Sequence, residues 1–100
     1  MMPKIFKLKS MPYAQAGVWE YDDGTNELHS YRTMIIRIDK DGWMECTGTY
    51  SPTTRKHIGA FMRNEVSKKS NHPLNYYTAK NLYLNGLRMN IHTGEVEKIA

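Results

Sequence analysis

Apolar and polar residues alternate along most of the first half of the chain, as in strands that have one covered and one solvated face. Strands are predicted at residues 4–9, 18–21, 28–38 and 43–50. The alternation is clearest over 28–38, where Met34, Ile36 and Ile38 should share one face. Residues 39–42 predict a tight turn, because they end in a glycine that can adopt a positive φ. This half of the chain therefore predicts an antiparallel meander.

After residue 50 the apolar spacing changes to three and four residues, the spacing of an amphipathic helix. Ser51 can cap free backbone N–H groups, and Pro52 suits the first helical position because it has no N–H to leave unpaired. Ile58, Phe61 and Met62 form an apolar stripe. We expect this stripe to face the sheet.

A second, shorter helix is predicted over residues 76–84, with Asn75 as its cap and residues 85–86 (Asn-Gly) as its end. Its apolar stripe consists of Ala79, Leu82 and Tyr83. Residues 87–91 and 95–99 predict a terminal β-ribbon, whose pairing with the main sheet stays open. The predicted fold class is α+β: an antiparallel β-meander with two helices packed on one face and a short C-terminal β-ribbon.

Composition bounds the size and class of the protein. One hundred residues form a single domain, 1–100, with one modest core, which excludes a two-domain enzyme and a large internal cofactor cavity. The net charge of +4 and a pI near 9.2 are compatible with an anionic partner. The single cysteine, Cys46, excludes an internal disulfide. With neither a signal-peptide pattern nor a membrane span, we expect a soluble cytoplasmic protein.

Positive charge is concentrated between residues 55 and 69. Against Glu65 alone, this stretch holds Arg55, Lys56, Arg63, Lys68 and Lys69. A helix start favours anions, so a phosphate contact is one interpretation, and a merely solvated helix face is the other. Basic side chains in a first turn oppose the helix dipole at a cost of about a few tenths of a kcal/mol. A sequence can carry such residues for a partner, or merely tolerate so small a penalty.

Aromatic residues stand beside basic ones in the second predicted helix, where Tyr76 and Tyr77 precede Lys80. Tyrosines in such positions can stack on bases or anchor protein interfaces, although most rings of a small domain are needed in its core. The candidate binding residues are Thr54, Arg55, Lys56, Arg63, Tyr77 and Lys80. In this hypothesis Arg55 and Lys56 engage phosphates or acidic side chains, and Tyr77 stacks or packs at the contact.

Neither metal binding nor catalysis is predicted. The histidines are dispersed, no Cys-x-x-Cys or His-x-x-x-His pair occurs, and there is no nucleophile or phosphate-loop motif. We therefore expect no metal, no cofactor and no enzymatic activity. An enzyme would need a pocket that brings His57 or His72 close to a carboxylate.

Two motifs carry a resemblance to a known family. Residues 30–33 read Ser-Tyr-x-Thr in a predicted strand, and residues 50–61 read Tyr-Ser-x-Thr-Thr-Arg-x-His-Ile-x-x-Phe at a helix start. This pattern resembles a family of small uncharacterised accessory proteins encoded by bacteriophages and prophages of gut and lactic bacteria. The resemblance covers residues 30–63, and residues 76–80 show a weaker similarity to the same family. It implies a phage or mobile-element origin and no catalytic residues.

Together these observations predict a non-enzymatic, phage-type accessory protein that contacts nucleic acid, or a nucleic-acid-handling protein, through its basic helix face. One alternative is an anti-defence inhibitor, comparable to anti-CRISPR proteins, that binds a host protein. Another is a structural component of the phage particle that forms homo-oligomers. Steep salt dependence of binding distinguishes the first function from the others, because phosphate contacts release counterions.

Overall fold

The computed structural model describes residues 2–48, 51–70 and 74–99. The strands of this part of the chain are β1 Lys4–Phe6, β2 Ala16–Glu20, β3 Asn26–Ser30, β4 Thr33–Ile38, β5 Trp43–Cys46, β6 Leu87–Asn90 and β7 Val96–Lys98. The helices are α1 Pro52–Phe61, which continues into a π-helical turn at Met62–Val66, and α2 Tyr76–Leu84. The predicted α+β class is confirmed. None of the described helices is both long enough and apolar enough to cross a bilayer.

The strands form one antiparallel sheet in chain order from β1 to β7. The terminal ribbon, β6 with β7, joins this sheet because Trp43 and Met44 of β5 pair with Asn90 and Met89 of β6. The sequence left that pairing open. The predicted partner strand 43–50 is confirmed only for Trp43–Cys46, because residues 47 and 48 are not part of β5. The last two residues of that predicted strand, 49 and 50, lie outside the described residues. Gly42, whose φ is +94°, closes the preceding turn.

The prediction of one strand over 28–38 is wrong, because the chain reverses in the middle of it. Ser30 pairs with Thr33 across a two-residue turn formed by Tyr31 (φ +51°) and Arg32 (φ +73°). Two positive φ values define a turn of the type that fits the twist of a β-hairpin, and Asn or Gly usually occupies it. Because this turn has neither residue, no local pattern predicted it. The Ser-Tyr-x-Thr motif therefore spans a hairpin tip, in which Ser30 ends β3 and Thr33 begins β4.

The expected common face of Met34, Ile36 and Ile38 is also wrong for its first member. Ile36 stands opposite Leu28, but Met34 stands opposite His29 because the register shifts between them. This β-bulge puts Met34 on the same face as His29, while Ile36 and Ile38 stay buried.

The core lies between one sheet face and the two helices. The sheet contributes buried residues that include Val18, Leu28, Ile36 and Met44, and the helical side contributes Ile58, Phe61, Met62, Val66, Ala79 and Leu82. The predicted stripe of α1 is thus confirmed. The stripe of α2 is correct for Ala79 and Leu82 but wrong for Tyr83, which is 43% exposed because it points away from the core.

The helix ends follow their sequence signals. The backbone N–H of Thr54 donates to Ser51 Oγ at 3.2 Å, which caps α1. Asn75 Oδ1 accepts from the N–H groups of Tyr77 (2.9 Å) and Thr78 (3.2 Å), and a capping box with Thr78 completes the start of α2. Each cap satisfies N–H groups that a helix cannot pair internally.

The other sheet face, called the outer face below, has no described helix against it. A row of alternating charges crosses it, formed by Glu27, Arg37, Glu45, Arg88 and Glu97 on five consecutive strands. Arg37 Nε lies 3.9 Å from Glu27 Oε2, and Arg88 Nε donates to Glu97 Oε1 at 2.7 Å. We call this row the charge ladder; opposite charges on neighbouring strands suit a solvated sheet face.

Candidate functional site

The exposed side of α1 and the first turn of α2 enclose a cleft of about 510 Å³, the α1–α2 cleft. Its lining residues are Met11, Pro52, Arg55, Lys56, Gly59, Arg63, Tyr76 and Tyr77. The amphipathic pattern of α1 explains the cationic side of the cleft. Since Ile58 and Phe61 turn toward the sheet, Arg55, Lys56 and Arg63 lie on the opposite, exposed side.

Arg55 connects the two helices at this cleft. Its Nη2 donates to Tyr77 Oη at 3.0 Å, and its Cζ lies 4.7 Å from the ring centroid of Tyr76 and 5.7 Å from that of Tyr77. The two rings meet edge to face at 5.4 Å. The guanidinium is thus held by a hydrogen bond and by cation–π contacts before any ligand arrives.

Gly59 leaves space for the side chain of Arg63. The only described atom within 4 Å of the position a Gly59 Cβ would take, the helix's own nearby backbone aside, is Arg63 Nη1, at 3.3 Å. The guanidinium of Arg63 therefore lies back along the helix, over Gly59 and into the cleft.

The cations of the cleft have no acidic partners in the described part of the chain. No described carboxylate lies within salt-bridge distance of Arg55, Lys56 or Arg63, and the first turn of α1 has no acidic residue. The nearby Glu65 lies instead 4.0 Å from Lys68. Uncompensated charge on a concave surface gives a positive potential that attracts anions.

Further positive charge lies beyond the π-helical turn, where Lys9 approaches Lys68. The Lys68 ammonium lowers the pKa of Lys9, first through a side-chain hydrogen bond and then through repulsion between the two charges. This basic surface therefore also draws on the N-terminal segment, which the sequence did not connect with α1.

Four of the six predicted binding residues meet in the cleft: Arg55, Lys56, Arg63 and Tyr77. Thr54 does not, because it is only 4% exposed and its hydroxyl lies 3.1 Å from Ser30 Oγ and accepts from Ser51 Oγ at 3.3 Å. Lys80 is exposed on α2 but does not line the cleft.

The sequence did not assign Tyr76 or Met11 to the site. Tyr76 was noted only as the neighbour of Tyr77, although it lies nearer to the Arg55 guanidinium. Met11 comes from the connection between β1 and β2 and reaches the cleft through the tertiary fold. No local pattern could have predicted that contact.

The Ser30–His57 pair and the Cys46 thiol, which are candidates for nucleophilic chemistry, are buried. His57 Nδ1 lies 2.8 Å from Ser30 Oγ, and these residues are 1% and 2% exposed. No described carboxylate belongs to this network, and His72 lies outside the described residues. Burial raises the pKa of the Cys46 thiol to about 12, so it stays protonated at neutral pH.

Metal ligands are not grouped in residues 2–48, 51–70 and 74–99. Within these ranges no three His, Cys, Asp or Glu side chains come close enough together to hold an ion.

The fold and cleft define an α+β protein with one helix-covered sheet face and a cationic, tyrosine-lined cleft between its helices. The chain belongs to the family of unknown function DUF8033, whose model matches residues 2–79. The matched part includes every residue that lines the cleft. No curated protein and no solved structure matches the chain. The family description names no activity, so the resemblance to phage proteins stays an expectation.

Proposed function

We propose that this protein is a non-enzymatic, phage-type accessory protein that binds nucleic acid through the α1–α2 cleft. The observation that carries this proposal is the convergence of three cations, two from α1 and one from its π-helical continuation, with two tyrosine rings. None of the three has a described acidic partner. Phosphates supply the opposite charge and bases supply flat surfaces for stacking. Nucleic acid offers both in one ligand.

Each side chain has a distinct role in this proposal. Lys56 and Arg63 contact phosphates from the exposed side of α1. Arg55 does the same from a guanidinium already positioned by Tyr76 and Tyr77, so less side-chain freedom is lost on binding. Tyr77 is 58% exposed, which leaves part of its ring free to pack against a base.

The non-enzymatic part of the proposal rests on where the reactive groups lie. The Ser30–His57 pair and the protonated Cys46 thiol are buried, so a substrate in the cleft does not reach them. The cleft itself presents arginine, lysine and tyrosine side chains. These bind and orient anions, and among the described residues no carboxylate lines the cleft beside them to serve as a general base.

The test is fluorescence-anisotropy binding to a labelled single-stranded oligonucleotide and to its duplex, at about 50 and 200 mM salt. Three phosphate contacts on a single strand predict that the affinity falls about twentyfold between these concentrations. The double variant Arg55→Ala/Lys56→Ala leaves one contact, so the fall should shrink to about threefold. The affinity of the variant at the lower salt should also be reduced.

A charge-matched control separates the cleft from net charge. Lys40 and Lys98 are exposed cations in the β4–β5 turn and in β7, away from the cleft. The double variant Lys40→Ala/Lys98→Ala loses the same charge and should keep the steep salt dependence. Absence of binding to either oligonucleotide at the lower salt contradicts the proposal, as does equal loss in both double variants.

A host protein that handles nucleic acid is the second candidate partner, as expected for an anti-defence inhibitor. Its support is the Arg55–Tyr76–Tyr77 cluster, because arginine and tyrosine dominate the binding energy of protein interfaces. In that case the oligonucleotides do not bind. A pull-down from bacterial lysate with the wild-type chain, but not with Arg55→Ala, then identifies the partner.

A further inference from the structure

A second concave site lies on the outer face of the sheet, away from the α1–α2 cleft. It has a volume of about 450 Å³, within the range of small-molecule sites, and it lies over β2 and β3. We call it the β2–β3 cavity. Its lining includes Lys7, Gly17, Trp19, His29 and Arg32, none of which lines the α1–α2 cleft.

One wall of this cavity is a fixed aromatic surface. The rings of Trp19 and His29 are stacked at 4.0 Å between centroids and within 10° of parallel. His29 Nε2 lies 2.9 Å from Glu27 Oε1, which also accepts from the Tyr21 hydroxyl at 3.0 Å. These contacts hold the imidazole, and with it the stack, in one orientation.

Gly17 keeps the cavity open between the stack and β1. A Cβ at Gly17 would lie 3.5 Å from Ile5 Cγ2 and 3.9 Å from Trp19 Nε1, which are ordinary contact distances. A methyl group would therefore fit the fold but occupy the space beside the stack. The backbone does not require glycine at this position, since Gly17 is not among the residues with positive φ. The absence of a side chain there leaves room in the cavity.

Two cations border this aromatic wall. Lys7 Nζ donates to the Ala14 carbonyl at 3.4 Å, and neither Lys7 nor Arg32 has a described carboxylate within salt-bridge distance. Elsewhere on the same face, Arg37 and Arg88 of the charge ladder have glutamate partners. The positive charge at the cavity is thus the uncompensated part of an otherwise paired surface.

Arg32 occupies a backbone position that disfavours it. At φ +73°, next to Tyr31 at +51°, it stands where a β-hairpin turn prefers Gly or Asn. The Tyr31 N–H donates to the Gln15 carbonyl at 2.8 Å, which ties the turn to the chain before β2. Backbone strain of this kind is often found at ligand sites, where the side chain it places is needed.

We propose that the β2–β3 cavity binds a small organic anion that carries a flat aromatic ring. The ring packs against the Trp19–His29 stack beside Gly17. The carboxylate or phosphate of the ligand pairs with Arg32 and Lys7, because a guanidinium binds such groups with two parallel hydrogen bonds. This site is separate from the proposed nucleic-acid contact and does not depend on it.

The test uses the fluorescence of Trp19 in a Trp43→Phe background, with adenosine 5′-monophosphate as the probe. The probe should quench the emission saturably. Adenosine lacks the phosphate and inorganic phosphate lacks the ring, so each should bind at least about tenfold more weakly. Absence of saturable quenching by the nucleotide overturns the proposal. So does equal affinity for the nucleotide and adenosine.

Two variants separate ligand binding from folding. Arg32→Gly relieves the positive-φ strain, so its Tm should rise by a few degrees while affinity falls at least about tenfold. Gly17→Ala should fold with an unchanged or higher Tm and also lose affinity. Lys40→Ala/Lys98→Ala changes residues that line neither site; it serves as the control and should bind the nucleotide like the parent. The proposal is wrong if Arg32→Gly or Gly17→Ala retains full affinity, or if the control loses it.

Discussion

Burial of His57 favours the neutral form of its imidazole. Its ring lies inside the molecule, with Nδ1 2.8 Å from Ser30 Oγ and the Tyr31 ring at 5.7 Å between centroids. Burial lowers its pKa because the imidazolium would lose its hydration. In the unfolded chain the pKa is about 6.5, so the unfolded state takes up the proton first as the pH falls.

The His57 contribution to stability should therefore be complete above pH 6.5 and lost as the pH falls from 6.5 toward the lower folded-state pKa. Over that range the free energy of unfolding should decline with a slope of at most about 1.4 kcal/mol per pH unit from this residue. Urea denaturation between about pH 5 and 7.5 measures it. His57→Gln should remove this part of the slope.

His92→Gln is the control, because His92 is exposed in the turn between β6 and β7. It should keep the slope of the wild-type protein. An unchanged slope in His57→Gln would show that the buried histidine does not couple folding to pH.

Gly42 shows how one missing side chain allows a turn and a packing contact together. Its φ is +94°, and a Cβ there would lie 2.5 Å from His92 Cδ2. Gly42→Ala should lower the free energy of unfolding by about 2 kcal/mol, from backbone strain and crowding combined. Gly86→Ala, at φ +63° with no described atom within 4 Å, should cost only the strain, about 1 kcal/mol. Thermal unfolding of both variants should rank them in this order.

At the scale of elements, the sequence predicted those helix ends that depend only on neighbouring residues. Ser51 and Asn75 cap their helices as expected, because a side-chain oxygen next to free N–H groups acts without help from the rest of the fold. The turn at Tyr31 and Arg32 could not be predicted for the opposite reason. The turn is held by the hydrogen bond from the Tyr31 N–H to the Gln15 carbonyl and by the pairing of β3 with β2 and β4. Neither Tyr31 nor Arg32 favours a positive φ.

The cap of α2 supports one side of the α1–α2 cleft and can be tested by itself. Asn75→Ala removes the side-chain oxygen that accepts from the N–H groups of Tyr77 and Thr78, which should cost about 1 kcal/mol of stability. The Thr78 N–H keeps the Asn75 backbone carbonyl as an acceptor at 3.1 Å. Asn81→Ala changes an exposed position within the same helix, where alanine is favoured, and should be neutral or slightly stabilising. Equal losses in the two variants, measured by urea denaturation, would contradict the role of the cap.

At the scale of the whole molecule, the candidate site was only partly predictable. Arg55, Lys56 and Arg63 lie on one exposed helix face by periodicity alone. Their meeting with Tyr76 and Met11 depends on how the helices and the N-terminal segment pack together, which a local pattern does not determine. Thr54 was misplaced for a related reason, because the strand that buries its hydroxyl is distant in sequence.

The charge ladder extends over five strands and should respond to one reversed charge. In Arg37→Glu the new carboxylate faces Glu27 and Glu45 on the neighbouring strands. We therefore expect the free energy of unfolding to fall by about 1 kcal/mol at low salt and by less at high salt. Arg37→Gln removes the attraction without adding repulsion and should lose less than half as much. Urea denaturation at about 50 and 500 mM salt checks both variants.

The order of the strands in the sheet also bears on how the chain folds. Neighbouring strands are close in sequence everywhere except between β5 and β6, whose pairing closes the span of residues 47–86 that contains both helices. Local hairpins can form early, whereas joining distant segments carries a larger loop-closure entropy. The pairing of Trp43 and Met44 with Asn90 and Met89 is therefore the step that should limit the folding rate. Shortening that span should speed folding more than stabilising any single hairpin.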